Sequence, residues 1–387
     1  MMKFAVQIIT MKIVADSKIP FLSGEAESFG EITFMDAKDI EPPAVAGADA
    51  LLVRTRTRCD ENLLKNSPVK FIGSATIGFD HIDTHWCEEH GIKWTNAPGC
   101  NANSVLQYVA SALAWLHQHT GFDPDGLTLG VVGVGNVGSR VAALGRKLGM
   151  EVLLCDPPRE AAGDDEKFVS LEEITASADI VTFHTPLTHE GEHSTFHMID
   201  QKLLDSFQNV QLIINTSRGE IADSAALKNW LTHHPNILSV IDVWEDEPEP
   251  DLQLMQLATI ATPHIAGYST DGKANGTAFV VNALRDHLNQ QKTSKWYPKH
   301  LPEPEVPLRY IDCDELSDNE VYFNAFLQSY DISRDDFLLR HDPSEFETFR
   351  SNYPVRREWP AYLLRLRDSN STQRAILKKL GFKVKTI

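Results

Sequence analysis

Three ionisable residues in the second half of the sequence each stand a few positions beyond a short apolar run. They are Arg218, Glu247 and His264. If the apolar runs are parallel strands of one sheet, their carboxyl ends meet at one edge, where open α/β sheets bind ligands. We therefore predict that the three side chains converge on one crevice and act together.

The three residue types suit the oxidation of a 2-hydroxy acid. His264 titrates in the range required of a base that accepts the hydroxyl proton. Glu247 would orient the imidazole and favour its charged form, and Arg218 can hold a carboxylate with two hydrogen bonds. A single Arg or Glu is usually a solvated surface charge, so this interpretation depends on the joint occurrence of all three.

A glycine-rich loop supplies the place for a hydride acceptor. Gly133, Gly135 and Gly138 follow the apolar run 127–132 and precede a helix predicted to begin near Ser139. In this context the first glycine allows the tight turn, the second lets the backbone approach a pyrophosphate, and the third lets the helix pack on the strand. The helix N-terminus adds unpaired N–H groups and a positive dipole for the phosphates.

The residue at the end of the next predicted strand distinguishes between the two nicotinamide dinucleotides. Asp156 stands there, where a carboxylate accepts hydrogen bonds from the ribose and repels a 2′-phosphate. This favours NAD over NADP, and the nearby Arg159 weakens the preference.

Strands alternate with helices along most of the chain, which is typical of doubly wound parallel sheets. The predicted strands are 13–15, 50–53, 70–73, 127–132, 151–155, 180–184, 211–215, 237–243 and 260–261. The predicted helices are 103–117, 139–148, 224–231 and 279–287. A break at 121–126 and a proline-rich stretch at 298–307 mark domain boundaries.

Composition excludes several classes of protein. A formal net charge of −18 over 387 residues argues against nucleic acid or an anionic membrane as partner, and no run is long and apolar enough for a membrane span. The five cysteines form no close pair, which fits a reducing cytosol.

The first ten residues are either an extension or an upstream start, and both readings stay open.

One cluster of possible metal ligands has a plainer interpretation. His81, His85, Cys87 and His90 have spacings that could suggest zinc. They begin in a loop and enter a short helix, where the side chains would point in different directions. We therefore expect no metal site.

The motifs around these residues resemble those of the D-isomer-specific 2-hydroxyacid dehydrogenase family. They are the glycine loop, Asn-Thr-Ser-Arg218-Gly, Asp-Val-Trp-Glu-Asp-Glu247-Pro and Thr-Pro-His264. The resemblance implies two Rossmann-like doubly wound parallel-sheet domains, an active site in the cleft between them, and a catalytic domain that is completed by a late helix. It gives a substrate domain of 11–105 plus 279–296, an NAD-binding domain of 106–278 and an added C-terminal α+β domain of 297–387.

Further motifs resemble the branch of that family whose substrate is 4-phospho-D-erythronate, an intermediate on the route to pyridoxal 5′-phosphate. The most diagnostic are His264-Ile-Ala-Gly-Tyr-Ser and Arg356-Arg-Glu-Trp. The resemblance implies substrate contacts from Thr55, Thr76 and Tyr268, with Arg54 and Arg56 as candidates for the phosphate. It implies that the NAD site is lined by Asp156, Thr185, Asp242 and Gly267.

Two positions depart from that branch. Thr55 stands where serine is expected, and threonine also carries a hydroxyl group. Arg56 stands where a small apolar residue is expected, so it is either an extra phosphate ligand or an exposed side chain.

The tail resembles the dimerisation domain of the same branch, which implies a homodimer; the cysteine pattern is what indicates a cytoplasmic location. A small unit of this kind is marginal alone, so pairing with a second copy is physically reasonable. The apolar residues available to it are Phe323, Phe326, Leu327, Phe337, Leu338, Phe346, Phe349, Tyr353 and Trp359. The alternative is a tail that packs on its own chain.

Two other functions remain open at this stage. The chain could oxidise a different D-2-hydroxy acid, such as 3-phosphoglycerate, glycerate or lactate, or it could reduce glyoxylate. It could also be a non-catalytic NAD-sensing scaffold, since such a scaffold can retain all three ionisable residues.

Overall fold

The computed structural model describes residues 11–289 and 294–387. The first ten residues, and 290–293 of the predicted substrate domain, lie outside this range. The strands of the described chain are β1 Met11–Asp16, β2 Gly30–Met35, β3 Ala50–Val53, β4 Phe71–Ser74, β5 Lys93–Thr95, β6 Thr128–Val132, β7 Glu151–Cys155, β8 Ile180–Phe183, β9 Leu212–Asn215, β10 Leu238–Ile241, β11 Ile260–Ala261, β12 Leu308–Asp312, β13 Leu363–Arg367 and β14 Lys383–Thr386.

The α-helices lie between these strands and are mostly short. They are α1 Pro42–Val45, α2 Glu61–Leu64, α3 Thr84–Glu89, α4 Ala102–Thr120, α5 Gly138–Lys147, α6 Pro157–Ala161, α7 Leu171–Ser177, α8 Gln201–Ser206, α9 Ser224–His233, α10 Leu252–Leu257, α11 Thr270–His287, α12 Asp318–Ser329, α13 Ile332–His341, α14 Phe346–Ser351 and α15 Ser371–Leu380. No helix of the described chain is long and apolar enough to cross a bilayer.

The chain divides into two compact units. The first unit holds the described residues up to Asn101 together with Thr270–Pro302, and the second holds Ala102–Ser269 together with Glu303–Ile387. This packing groups the C-terminal residues with the segment that carries the glycine loop. The three-domain division derived from the sequence stays a prediction.

The first unit is a five-stranded parallel sheet in the order β2-β1-β3-β4-β5. Helix α11 packs on β4 and begins at Thr270, so the predicted start at Phe279 is wrong. The glycines at 272 and 276 concealed its first turns, because glycine is a poor helix former. Gly276 is needed for packing, since a Cβ there would lie 2.5 Å from the carbonyl oxygen of Ala75.

The second unit contains a six-stranded parallel sheet in the order β11-β10-β9-β8-β6-β7. Its central strands are buried along their whole length, as expected for a parallel sheet covered on both faces. Because all six strands run in the same direction, the segments that follow β9, β10 and β11 leave the sheet at one edge. Arg218, Glu247 and His264 lie in these segments and therefore at this edge.

The tail forms a second, smaller parallel sheet in the order β12-β13-β14. Its helix α12 packs on α4, a helix that is buried on almost every side. Several of the tail aromatics lie in the core of their own chain, namely Phe323, Phe326, Phe346 and Trp359. These side chains stabilise the second unit. Phe337, by contrast, is 64% exposed and lies at the surface.

The predicted fold class is confirmed: parallel α/β sheets with an additional small sheet in the C-terminal region. The predicted bounds of β3, β7 and β11 agree with the structure. Strands β2 and β5 were missed, because their residues are partly exposed and lack a continuous apolar run.

Phe326 is the side chain through which the tail core can be tested. It is fully buried and stacks on Trp359 with ring centroids 5.1 Å apart. We expect Phe326→Ala to lower the free energy of unfolding by about 3–5 kcal/mol because it removes a buried ring and leaves a cavity. Urea denaturation followed by circular dichroism measures this. Phe196→Ala, which removes a 42% exposed ring, is the control and should change the stability by about 0.5 kcal/mol or less; equal losses would contradict the assignment of this core.

Candidate active site

Arg218 stands in a turn that is held in place by hydrogen bonds directly after β9. Asn215, the last residue of that strand, accepts from the backbone N–H of Ser217 (3.1 Å) and donates to the carbonyl of Arg218 (3.2 Å). The next residue, Gly219, lies so close to Trp244 that a Cβ would overlap the carbonyl group of Trp244. The turn of Arg218 is therefore fixed against the loop that follows β10.

His264 and Glu247 form a direct hydrogen bond. The Nδ1 atom of His264 lies 2.7 Å from Oε2 of Glu247, and Oε1 of Glu247 accepts from the backbone N–H of Trp244 (2.9 Å). Burial favours the neutral form of Glu247, but the His264 bond and charge, the Trp244 N–H and the nearby Arg350 outweigh it and lower the pKa of Glu247. An ionised carboxylate can only accept, so Nδ1 carries the proton and Nε2 of the neutral imidazole keeps its lone pair. This is the tautomer that a general base requires.

The loop that carries His264 is organised by one buried carboxylate. Asp242, which is 1% exposed, accepts through Oδ1 from the Thr262 hydroxyl (2.6 Å) and the Ile265 N–H (2.8 Å) and through Oδ2 from the Ala266 N–H (2.8 Å). Its carbonyl accepts from the N–H of His264 (2.7 Å), whose φ is +53°. Burial raises the pKa of Asp242 to about 6, against the lowering effect of His264 and of these donors. Asp242 thus holds His264 in a left-handed conformation that non-glycine residues rarely adopt.

The tail braces the same loop from the other side. Arg356, which is 4% exposed, donates to the carbonyl oxygens of Ala266 (2.5 Å) and Ser104 (3.1 Å). Oε1 of Glu358 accepts from the hydroxyls of Ser104 (2.9 Å) and Ser269 (3.0 Å). The Arg-Arg-Glu-Trp motif therefore has a structural role, which is to fix both the catalytic loop and the start of α4.

The glycine loop has the shape that a dinucleotide pyrophosphate requires. Gly133 has a φ of +84°, and a Cβ there would lie 2.8 Å from the His184 carbonyl, while a Cβ at Gly138 would overlap the Gly133 carbonyl oxygen. At Gly135 no atom lies within 4 Å of the Cβ position, so a ligand can approach the backbone closely. The ten-residue helix α5 begins at Gly138 and directs its first N–H groups to the same place. These residues fit NAD.

Asp156 lies next to this loop with its carboxylate already oriented. It accepts from the backbone N–H groups of Val134 (2.8 Å) and Arg159 (3.1 Å). A carboxylate has about four acceptor positions, so Asp156 can also accept from ribose hydroxyls. The Arg159 guanidinium is paired with Asp164 at 2.6 Å, which favours NAD because this cation is engaged elsewhere.

Other residues predicted for the cofactor lie near the same strand ends. Thr185 follows β8, with its Cγ2 atom 2.9 Å from the Cβ position of Gly133. Gly267 belongs to the loop that Asp242 holds. The carboxylate of Asp242 is directed into that loop, so the structure adds a positioning role to its predicted place at the cofactor site.

Tyr268, a predicted substrate residue, lies beside the catalytic pair and contacts the tail. Its ring meets the Tyr353 ring edge-on with centroids 5.8 Å apart, and the Arg350 guanidinium lies 5.8 Å from its centre. It is half-buried. The ring is thus held from one side while part of it remains accessible.

The remaining predicted substrate residues belong to the first unit. Thr55 and Arg56 follow β3 and are exposed, and Nε of Arg54 pairs with Oδ2 of the buried Asp16 at 3.0 Å. Thr76 follows β4, and its hydroxyl lies 2.7 Å from that of Ser74. Their contacts with substrate stay a prediction.

The histidine cluster of the first unit has other partners. His81 Nε2 lies 3.1 Å from the Ser74 hydroxyl, and burial lowers the pKa of His81 to about 4. His85 pairs with Glu89 at 3.3 Å. Across the described residues, no group of three or more His, Cys, Asp or Glu is placed to hold a metal ion.

Sequence reasoning missed the residues that position this site. Asp242 was identified only as a cofactor residue, and Arg356 and Glu358 only as parts of a diagnostic motif. Nothing in the sequence pointed to Arg350, whose guanidinium reaches Glu247 from a helix of the tail. These roles depend on contacts between segments far apart in the chain.

Asp242→Asn tests whether the buried carboxylate positions His264. An amide offers one acceptor atom where the carboxylate offers two, so one of the three donors would face an N–H group. We expect kcat to fall roughly 100-fold, because a displacement of about 1 Å in a catalytic group has that effect, while the protein stays folded. Steady-state measurement of NADH formation over a range of NAD concentrations gives kcat separately from the KM for NAD.

Asp223→Asn is the matched control for this change. Asp223 accepts one backbone N–H, that of Ala226 (2.9 Å), as the N-cap of α9, and Asn is an equally good cap. Its kcat should stay near wild type. An unchanged kcat in Asp242→Asn with a raised KM for NAD would show that Asp242 serves the cofactor and not the loop.

Comparison with known proteins shows the family of the chain. A family model described as "D-isomer specific 2-hydroxyacid dehydrogenase, NAD binding domain" matches residues 103–266, and a model described as a domain of unknown function matches 301–381. The chain is 47% identical over 355 residues to the erythronate-4-phosphate dehydrogenase of Bacteroides fragilis, covering 91% of this chain and 98% of the relative. It is 42% identical over 381 residues to that of Proteus mirabilis, covering 96% and 99%.

Solved structures of 2-hydroxy acid dehydrogenases share the fold of this chain. The crystal structure of D-lactate dehydrogenase from Aquifex aeolicus complexed with NAD and lactic acid matches with a TM-score of 0.57 at 25% identity, covering 72% of this chain and 96% of that one. High identity over nearly the full length of the curated relatives, together with the His264–Glu247 pair and the glycine loop, decides the assignment. The chain belongs to the erythronate-4-phosphate dehydrogenases, within the NAD-binding D-isomer-specific 2-hydroxyacid dehydrogenases.

Proposed function

We propose that this enzyme oxidises the C2 hydroxyl of 4-phospho-D-erythronate with NAD, giving 2-oxo-3-hydroxy-4-phosphobutanoate, NADH and a proton. The observation that carries the proposal is the 2.7 Å bond between His264 and Glu247, in the unit that also carries the glycine loop. The product is an intermediate of pyridoxal 5′-phosphate synthesis.

Each member of the catalytic group has one role. His264 accepts the hydroxyl proton at Nε2, because Nδ1 is engaged with Glu247. Glu247 stabilises the imidazolium that forms, and Arg218 holds the substrate carboxylate with its planar fork of donors. When bound at Gly133, Gly135, Gly138 and Asp156, NAD supplies the acceptor for the hydride that leaves C2.

The substrate is distinguished from other 2-hydroxy acids by its phosphate and its additional hydroxyl. We assign Thr55, Thr76 and Tyr268 as hydrogen-bonding residues for it. Arg54 and Arg56 are the cations for the phosphate, in a chain whose net charge is −18. Arg54 is oriented by the buried Asp16.

A direct assay tests the substrate assignment. NADH formation is followed with 4-phospho-D-erythronate, 3-phosphoglycerate and D-lactate in parallel, with a 2-oxo acid added in a second series to reoxidise trapped NADH. We expect kcat/KM to be highest for 4-phospho-D-erythronate. Preference for another acid would mean that Arg218, Glu247 and His264 act on that acid instead. No turnover with any of the three acids would favour the NAD-sensing scaffold.

His264→Ala tests the identity of the base. We expect kcat to fall by about 10²–10⁴-fold, the usual contribution of a general base, with NAD affinity unchanged by calorimetry. His233→Ala, which removes an exposed imidazole at the end of α9, should leave kcat unaltered. A His264→Ala enzyme with near-normal turnover would overturn the assignment of the base.

We further propose that the enzyme is a homodimer joined by the outer face of the tail sheet. Parallel sheets are normally covered on both faces, yet Tyr310 on this sheet is 55% exposed. In the sheet register Tyr310 pairs with Arg365, whose guanidinium lies 5.7 Å from the Tyr310 ring centre. An exposed Tyr beside an Arg is typical of the residues that anchor protein interfaces.

Tyr310→Glu tests this face. In a two-fold interface a substitution acts on both copies at once, so we expect the variant to sediment as a monomer at concentrations where wild type is a dimer. Phe196→Glu, on an exposed ring outside the tail, should leave the dimer intact. A Tyr310→Glu protein that stays dimeric would place the interface elsewhere.

We propose a cytoplasmic location for the enzyme. All five cysteines are free thiols and are buried, which suits a reducing compartment.

A further inference from the structure

The tail places a cation against the catalytic pair. Arg350, on α14, has Nη1 3.9 Å from Oε2 of Glu247, and this is the same oxygen that bonds Nδ1 of His264. Its guanidinium lies 5.8 Å from the ring centre of Tyr268. The Arg350 side chain is 16% exposed and that of Glu247 is 17% exposed, so water screens their interaction less than it would at the surface.

The charge of Arg350 is shared between two carboxylates. Its Nη1 lies 2.8 Å from Oε1 of Glu347 on its own helix and 3.9 Å from Glu247 on the loop after β10. Its Nε is buried and has no hydrogen-bond partner in the described part of the chain. The guanidinium of Arg350 is therefore shared between Glu347, the Tyr268 hydroxyl and Glu247.

The groups that surround the pair come from three segments, which are the loop after β10, the loop after β11 and α14. Glu247 faces His264 and Arg350, and His264 is also near the buried Asp242. Arg350 faces Glu247, Glu347 and the Tyr268 hydroxyl. The charge pattern around the imidazole is thus two carboxylates and one cation, and the cation comes from the tail.

We propose that Arg350 is a positioning residue that acts through Glu247: it limits how strongly that carboxylate stabilises the protonated imidazole of His264. The base then remains unprotonated, and ready to accept the hydroxyl proton, at a lower pH than Glu247 alone would allow. The direction follows from charge. A cation close to the imidazolium disfavours the charged ring, and it also offsets part of the negative charge of Glu247 that would stabilise that ring. The tail thereby sets the pH range of the oxidation.

The inference rests on the proposed role of His264 as base, and the pH profile of kcat/KM for the oxidation tests it. Without the cation the protonated imidazole is more stable. In Arg350→Gln we therefore expect the acid limb to move to higher pH by on the order of half a unit. Activity on that limb falls about three-fold, while the plateau at high pH changes less. Arg350→Lys, which keeps the charge, should return the limb toward its wild-type position.

Glu347→Gln provides a change of the opposite sign. It removes the carboxylate that competes for Arg350, so the limb should move to lower pH. Arg374→Gln is the matched control, because Arg374 is a tail cation that pairs with Ser369, and its limb should coincide with wild type.

The possible outcomes separate this inference from the proposed function. A limb that stays in place in folded Arg350→Gln, while His264→Ala is inactive, overturns the role of Arg350 and leaves the base assignment intact. Turnover in His264→Ala overturns the proposed function itself. If Arg350→Gln does not fold, Glu347→Gln decides: a shift to lower pH supports the inference, and an unmoved limb or a shift to higher pH overturns it.

Discussion

The buried carboxylate of Asp242 is the constraint on which the rest of the site depends. A charge that is 1% exposed is tolerated because three donors of one short loop surround it, and an unpaired charge at this depth would be very unfavourable. The same three bonds that satisfy the carboxylate fix the loop in which His264 stands at a positive φ. The donors that the buried charge requires are therefore the groups that also shape the loop of His264.

A second constraint comes from the close approach of backbones. Gly219 touches the Trp244 carbonyl, and Gly138 touches that of Gly133, so no side chain is possible at either glycine without separating the segments. The first contact ties the turn of Arg218 to the loop of Glu247, and the second ties the cofactor loop to α5. The predicted catalytic and cofactor residues thus lie at one edge of the sheet, because parallel strands place their carboxyl ends on the same side.

The tail contacts the predicted catalytic residues as well as packing on its own core. Arg356 and Glu358 hold the catalytic loop and the start of α4 with hydrogen bonds to backbone and hydroxyl groups. Arg350 adds a charge next to Glu247. A change in how the tail packs would therefore alter the loop that carries His264.

The sequence by itself determined the elements that local pattern controls. Continuous apolar runs predicted β3, β7 and β11 at their observed bounds, because burial on both faces leaves a clear local signal. The same runs predicted that Arg218, Glu247 and His264 follow strands. Elements without such a signal were missed: β2 and β5 are partly exposed, and α11 begins with glycines whose reason is a contact with Ala75. Only the tertiary structure decided which charges meet. The position of Arg350 against Glu247 and the grip of Asp242 on its loop arise from packing between distant segments, and the free energy of a charge depends on those neighbours and on burial, which no local pattern encodes.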